Sequence, residues 1–221
     1  MAISAGSAPA PVPGGARTSA RGSRRAQILD AAAELFARHG FHGVSMDDIG
    51  AAVGISGPGL YRHFGGKTEV LTEMLLRISE QLVTEGGRRA AAAPDAGAAL
   101  DALVSGHIDF ALGQPALITV HDRELGNVPE PARRRIRRLQ RLYVEEWVTV
   151  LTELVPDATH ATLRAAVHAV FGLLNSTPHS AGELPGEEMA RLLHTMAHTA
   201  LLSAAATGPA SRDATLTGMR H

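Results

Sequence analysis

Between Val44 and Phe64 the chain leaves little room for alternative folds. Ser45 is a good helix N-cap with Asp48 three residues on, the spacing at which each side chain satisfies the other residue's backbone N–H. Ile49, Ala52 and Val53 follow at i, i+3 and i+4, the apolar stripe of a short helix. Gly54 can leave that helix at positive φ without steric cost, and Ile55 returns the chain to the core. Ser56 is a second N-cap, and Pro58 falls in a first helical turn, where its missing N–H costs little. Leu60 and Phe64 are spaced to point inward, leaving Tyr61, Arg62 and His63 outside. Two short capped helices around a glycine turn make a helix-turn-helix, whose second helix is the one that enters a DNA groove.

The flanks extend the pattern. Arg24 to His39 reads as an amphipathic helix with Ile28, Leu29, Ala32, Leu35 and Phe36 on one face, ended by Gly40 and followed by Phe41 and Gly43. After the motif come Gly65-Gly66-Lys67-Thr68 and a new apolar helix. Over about residues 22–75 this resembles the N-terminal domain of the TetR family of transcriptional regulators. The matching residues are Ile28-Leu29-Asp30-Ala31-Ala32, Leu35-Phe36, Gly40-Phe41, Ser45-Met46-Asp47-Asp48-Ile49, Val53-Gly54-Ile55-Ser56, Leu60-Tyr61-Arg62-His63-Phe64 and Lys67.

The resemblance implies a recognition helix over Gly57 to His63, entered from the Ser56 cap. Tyr61 and Lys67 match positions that contact phosphate, with His63 beside them, and Ser45 would offer donors to phosphate at the start of the preceding helix. Positions 57 and 59, which often carry base-reading side chains, are Gly57 and Gly59 here. Arg62 is then the main candidate for reading guanine, and Pro58 for an apolar contact with a thymine methyl. Arg24 and Arg25 enter the first helix as candidate phosphate contacts; Arg17 and Arg21 extend the basic stretch as an arm or as a solvated tail.

Charge agrees with DNA contact at one end. Residues 1–68 carry seven basic and four acidic side chains, so a net charge of −1 for the whole chain conceals a basic front and an acidic back. There is no Cys, hence no disulfide framework or thiol chemistry. No apolar run reaches the ~18 residues of a membrane span, and no secretory h-region opens the chain, which predicts a cytoplasmic protein without membrane contact.

The rest reads as all-α, without strand alternation or internal repeats. The expected division is a disordered tail at 1–20, a DNA-binding domain at 21–68, a ligand-binding and dimerisation domain at 69–207, and a flexible tail at 208–221. A helix from Lys67 carries Val70, Leu71, Met74, Leu75, Ile78 and Leu82, with Gly86-Gly87 weakening or ending it and a loop at 90–94. Further helices are predicted at 96–112, 115–125, 131–155, 159–175 and 186–206. The last two are rich in Ala and Leu and poor in charge, so they belong in a core or an interface. In the TetR family the last two long helices form a dimer, and two reading heads suit half-sites about one turn, ~34–36 Å, apart on a palindromic operator. Leu193 and Ala197 are the expected interface residues.

A lipophilic effector is expected between the body helices, at Leu82, Leu103, His107, Phe110, Ile118, His121, Tyr143, Trp147, Phe171 and Asn175; each also fits an ordinary core. Residues 118–125, 138–143 and Trp147 are similar to members that sense acyl-CoA, which makes that compound class the first candidate. Arg133, Arg134, Arg135, Arg137, Arg138 and Arg141 crowd the start of a helix, either holding an anionic head or forming a solvated face. His194 and His198 are i, i+4, but no Glu or Cys accompanies them in sequence, so no metal is assigned. No nucleophile elbow, phosphate loop or carboxylate pair is present, so no catalytic residue is named. The outcome is a ligand-responsive DNA-binding repressor. Its rivals are a helical carrier or enzyme whose head has lost specific DNA binding, as the two glycines could signal, and an architectural DNA binder of low specificity.

Overall fold

Helix-forming runs separated by Gly and Pro punctuation give an all-helical chain in the computed structural model, which describes residues 15–203 except 181 and 183. In order these are α1 (Gly15–His39), α2 (Met46–Ala52), α3 (Gly57–Tyr61), α4 (Lys67–Ala92), α5 (Ala96–Gly113), α6 (Pro115–Glu124), a 3-10 turn (Leu125–Asn127), α7 (Ala132–Leu154), α8 (His160–Leu174), α9 (Thr177–Ser180) and α10 (Gly186–Ser203). The tail at 208–221 and residues 1–14 of the N-terminal tail lie outside the described residues. From Gly15 the backbone is already helical, six residues before the predicted end of that tail. Among the described residues no helix is long and apolar enough to cross a membrane.

Two apolar cores organise these helices. The first gathers Ile28, Leu29, Ala32 and Phe36 of α1 with Ile49, Leu60, Phe64 and the first turns of α4. It also takes in Val120 of α6, Val128 just after the 3-10 turn, and Ile136 of α7. The second joins α5, α7, α8 and α10, with Leu82 and Val83 of α4 packed against it. A boundary at residue 68/69 therefore divides what packing unites: α4 serves both cores, and parts of the body complete the core of the head. At this junction Glu124 is buried and accepts the Phe41 N–H (3.1 Å) and the Asn127 side-chain amide (2.7 Å). That meets the requirement that a buried carboxylate be hydrogen-bonded.

Gly86-Gly87 does not end α4, which runs 26 residues to Ala92 and also absorbs most of the predicted loop. A Cβ at Gly86 would lie 2.7 Å from the Tyr143 ring. The glycine is there for close approach of α7, a gain that outweighs the ~1 kcal/mol helix propensity it forgoes.

Candidate functional site

The local chemistry of the helix-turn-helix follows the sequence closely. Ser45 Oγ accepts the Asp48 N–H (3.1 Å), and Asp48 Oδ2 accepts the Ser45 N–H (2.8 Å), completing the capping box. Hydrogen bonds from the Ser45 hydroxyl, and next from its N–H, hold the Asp48 carboxyl below its ordinary pKa. Gly54 has φ +67°, and Ser56 caps α3 through the Gly59 N–H. Gly50 is the residue the turn depends on: its carbonyl accepts the Ile55 N–H (2.9 Å), and a Cβ on it would meet Ile55 O at 2.8 Å. Leu60 and Phe64 are fully buried, as their spacing requires. Ala52 departs from the predicted stripe and is exposed; Met46 and Ile49 supply that face of α2, because seven residues make barely two turns.

On the outer face, Ser56, Pro58, Tyr61 and Arg62 are exposed, Gly57 and Gly59 half-buried. Tyr61, 55% exposed, is not a packing residue. Ser45, Tyr61, Gly66 and Lys67 surround one open depression between α2 and the start of α4. Several predicted contacts are nevertheless committed within the fold. Ser45 donates its hydroxyl (2.6 Å) as well as its N–H to Asp48. Lys67 Nζ donates to Phe41 O (2.9 Å) and Val44 O (3.0 Å) and sits 4.7 Å from the Phe41 ring. Arg25 is turned inward: it pairs with Glu73, donates to the His63 carbonyl and covers the Phe64 ring at 4.1 Å. Its partner Glu73 lies 48 residues away in sequence. Arg24 remains on the surface side, donating to Gln27 at 2.9 Å. His63 is half-buried beside Tyr61.

In the body, α4, α5 and α7 enclose a cavity of about 240 Å³. Leu82, Leu103, Phe110 and Tyr143 line it, together with Gln81, Glu85, Gly86, Arg89, Gly106, Asp109 and Gln114. His107, Trp147, Phe171 and Asn175 form the layer behind. The His107 ring stacks on Phe171 (4.7 Å between centroids, 7°) and on Tyr143 (5.8 Å, 16°), with Trp147 and Phe110 edge-on. Its Nε2 is 3.0 Å from Asn175 Oδ1 and its Nδ1 3.3 Å from the Tyr143 hydroxyl. An amide oxygen can only accept, so Nε2 carries the proton and Nδ1 accepts from Tyr143. Burial pushes the His107 pKa down to about 4, the Asn175 bond opposing, and pushes the Tyr143 hydroxyl up. The Trp147 indole N–H is buried near that hydroxyl without a hydrogen bond of normal geometry.

Ile118 and His121 do not reach the cavity. Both lie on α6, which packs chiefly against α1; Ile118 is buried outside the cavity lining, and His121 is held between Asp122 and Gln140. The arginine run does not reach it either. Arg133 and Arg134 pair with Glu130, Arg135 with Glu80, and Arg137, Arg138 and Arg141 are exposed. The cation at the cavity is Arg89, in a stretch whose glycines read as a helix break. His194 and His198 face Asp101 of α5 at 3.5 and 3.4 Å, and among the described residues no group of three is arranged to hold a metal.

Leu193 and Ala197 are buried within the subunit, against α5 and α8. On α10 the large apolar side chains Leu192 and Met196 are exposed, at 45% and 46%, on the flank opposite His194 and His198, and Leu202 is exposed near the end of the helix. Beside them α8 leaves Ala165, Ala169 and Gly172 exposed.

Comparison with known proteins places this geometry. The profile "Bacterial regulatory proteins, tetR family" matches residues 28–74, and "Tetracyclin repressor-like, C-terminal domain" matches residues 93–201. The transcriptional repressor KstR2 of Rhodococcus jostii is 30% identical over 145 residues, 64% of this chain and 70% of that one. The chain belongs to the TetR family. It is a TetR-family transcriptional regulator, and its helix-turn-helix is the family's DNA-binding unit. Another TetR-type relative, the activator FasR of Mycolicibacterium smegmatis, is 37% identical over 90 residues, 41% of each chain. The solved FadR of Bacillus subtilis in complex with stearoyl-CoA shares the fold at TM-score 0.62 and 18% identity, over 79% of this chain and 98% of that one.

Proposed function

We propose that this TetR-family regulator is a homodimeric repressor of a palindromic operator, released or engaged by a lipophilic effector, with acyl-CoA thioesters the first class to test. The observation that carries the reading is the continuity of α4 between the reading head and the cavity. An occupant that favours one spacing of α4 and α5 biases the head, and differential affinity of this kind is worth ~1–3 kcal/mol. FadR's stearoyl-CoA and the repressor role of KstR2 support the class and the direction of control. Leu82, Leu103 and Phe110 give the mixed lining of the cavity an apolar stretch that suits such a tail.

Within the head, Arg62 and Pro58 read bases, and Tyr61 with Arg24 and the remaining donor of Lys67 meets phosphate. Gly57 does not argue for a lost DNA function. A Cβ there would fall 2.4 Å from Asp47 Oδ1, so Gly57 leaves room for the α2 carboxylate. Dimerisation uses the faces bearing Leu192 and Met196 of α10 and Ala165, Ala169 and Gly172 of α8. No catalytic step is assigned, and the protein acts in solution with DNA.

The test is a gel shift on the protein's own upstream DNA across a salt series, with and without decanoyl-CoA. Sequence-selective binding that decanoyl-CoA alters supports the reading. A steep salt slope without sequence preference identifies an architectural binder, and absence of any shift returns the chain to a carrier role.

A further inference from the structure

We propose that Arg89 is the ligand-reading cation of the cavity and selects an oxyanion attached to an apolar chain, which it accepts in exchange for Asp109. This deepens the effector reading above and rests on it.

Three observations converge on Arg89. It is the cation among the cavity-lining residues; Glu85, the nearest carboxylate on its own helix, is engaged by Arg88 at 2.6 Å. Its ion pair is with Asp109 of α5, at 3.3 Å and 69% exposed, while Glu85 acts on it only through the weaker field of a carboxylate held by Arg88. That contact spans the opening between α4 and α5 and is screened by water, so it is weak and replaceable. Third, α5 is cut away to receive the guanidinium. A Cβ on Gly106 would stand 3.1 Å from both Cδ and Nε of Arg89 and 3.2 Å from Cζ, so the planar group lies against bare helix backbone. A guanidinium held flat presents its fork of N–H donors in a fixed direction, the geometry that suits a carboxylate or phosphate.

Leu82, Leu103 and Phe110 line the same cavity and provide apolar contact for a chain. The exposed arginines of α7 are absent from that lining. A ligand oxyanion therefore displaces one exposed carboxylate and gains a pre-seated partner. A neutral ester fills the apolar space without that gain.

The oxyanion could belong to a free acid or to the phosphates of a thioester, and the probes separate them: decanoate, decanoyl-CoA and methyl decanoate, each titrated into full-length protein by calorimetry. A charge-assisted hydrogen bond at this position predicts that at least one anionic probe binds about tenfold or more tightly than the ester. Arg89→Gln should remove that preference while leaving the ester within about twofold, and Asp109→Asn should tighten the anionic probe. Preference for decanoate alone assigns a free acid, and preference for decanoyl-CoA alone assigns the thioester's phosphates. Ester binding equal to both anions, or full anion affinity in folded Arg89→Gln, overturns the role of Arg89 while leaving the cavity as an effector site. If none of the three probes binds, the effector class itself falls, and this inference with it.

Discussion

A buried histidine beside the proposed effector cavity makes acid stability a direct probe of the site. His107 is neutral in the fold, with a pKa of about 4 against 6.5 for a free side chain. Its contribution is fully present above pH 6.5 and is lost as pH falls toward 4, because between those values the unfolded chain binds the proton and the folded chain refuses it. From these values the loss between pH 8 and pH 5 is about 2 kcal/mol, most of it below pH 6.5, where the slope rises toward its limit of about 1.4 kcal/mol per pH unit. The perturbation is His107→Gln, which cannot titrate but can still hydrogen-bond Asn175. Urea unfolding of both proteins at fixed concentration, at half-unit steps from pH 8 to 5, gives two stability curves. Every other titrating group is common to both, so their difference isolates His107. The wild type should fall faster, the gap between the curves changing by about 2 kcal/mol. Parallel curves would refute the claim that this ring is held neutral by burial.

Three further outcomes follow from contacts described above. Gly50→Ala gains ~1 kcal/mol of helix propensity but drives a methyl into the Ile55 carbonyl, an overpacking cost of ~1–3 kcal/mol; amide exchange over residues 46–64 should accelerate. Glu124→Ala leaves the Phe41 N–H and the Asn127 amide without their acceptor at a cost of ~1–3 kcal/mol, measured by thermal unfolding, whereas Glu124→Gln, which keeps one acceptor oxygen but turns an NH2 toward the other donor, should recover only part of that loss. Leu192→Arg with Met196→Arg should give folded monomers by light scattering, since both side chains lie on the outer face; Ala197→Glu, which buries a charge in the subunit core, should unfold the chain instead.

The head was legible because its signals are local. Caps three residues apart, a glycine at positive φ and inward Leu60 and Phe64 are decided within one or two turns of the chain. Arg25 was not legible, because its meaning depends on Glu73 across the domain. The body shows the same division at larger scale. Helical periodicity marked His107, Tyr143 and Asn175 as polar groups on apolar faces, and the fold does bring them into one network. It could not tell which neighbour each face meets, so Ile118 and His121 were assigned to a cavity that α6 never reaches. On α10, where Leu192 and Leu193 are adjacent and the helix is apolar on more than one side, spacing carries no information about which leucine faces the core. Only packing separates them, and it places Leu193 inside. The glycines of α4 misled for a related reason: a missing side chain reads as weakness along the helix until the Tyr143 ring is seen lying across it.

The unbroken course of α4 has a mechanical consequence. From Gly86 to Lys67 is nineteen residues, about 28 Å at 1.5 Å per residue, so a tilt of about 2° centred on Gly86 carries Lys67 through about 1 Å. Lys67 is fastened to the carbonyls of Phe41 and Val44, immediately before α2, and takes the reading unit with it. On the other side of the pivot, Arg89 lies only three residues away, an arm of about 4.5 Å. The gearing is thus about six to one: movements too small to rearrange the cavity become steps that matter on the scale of a base edge. On the proposed reading an effector sets an angle, and a helix that had broken at its paired glycines would have had no angle to transmit.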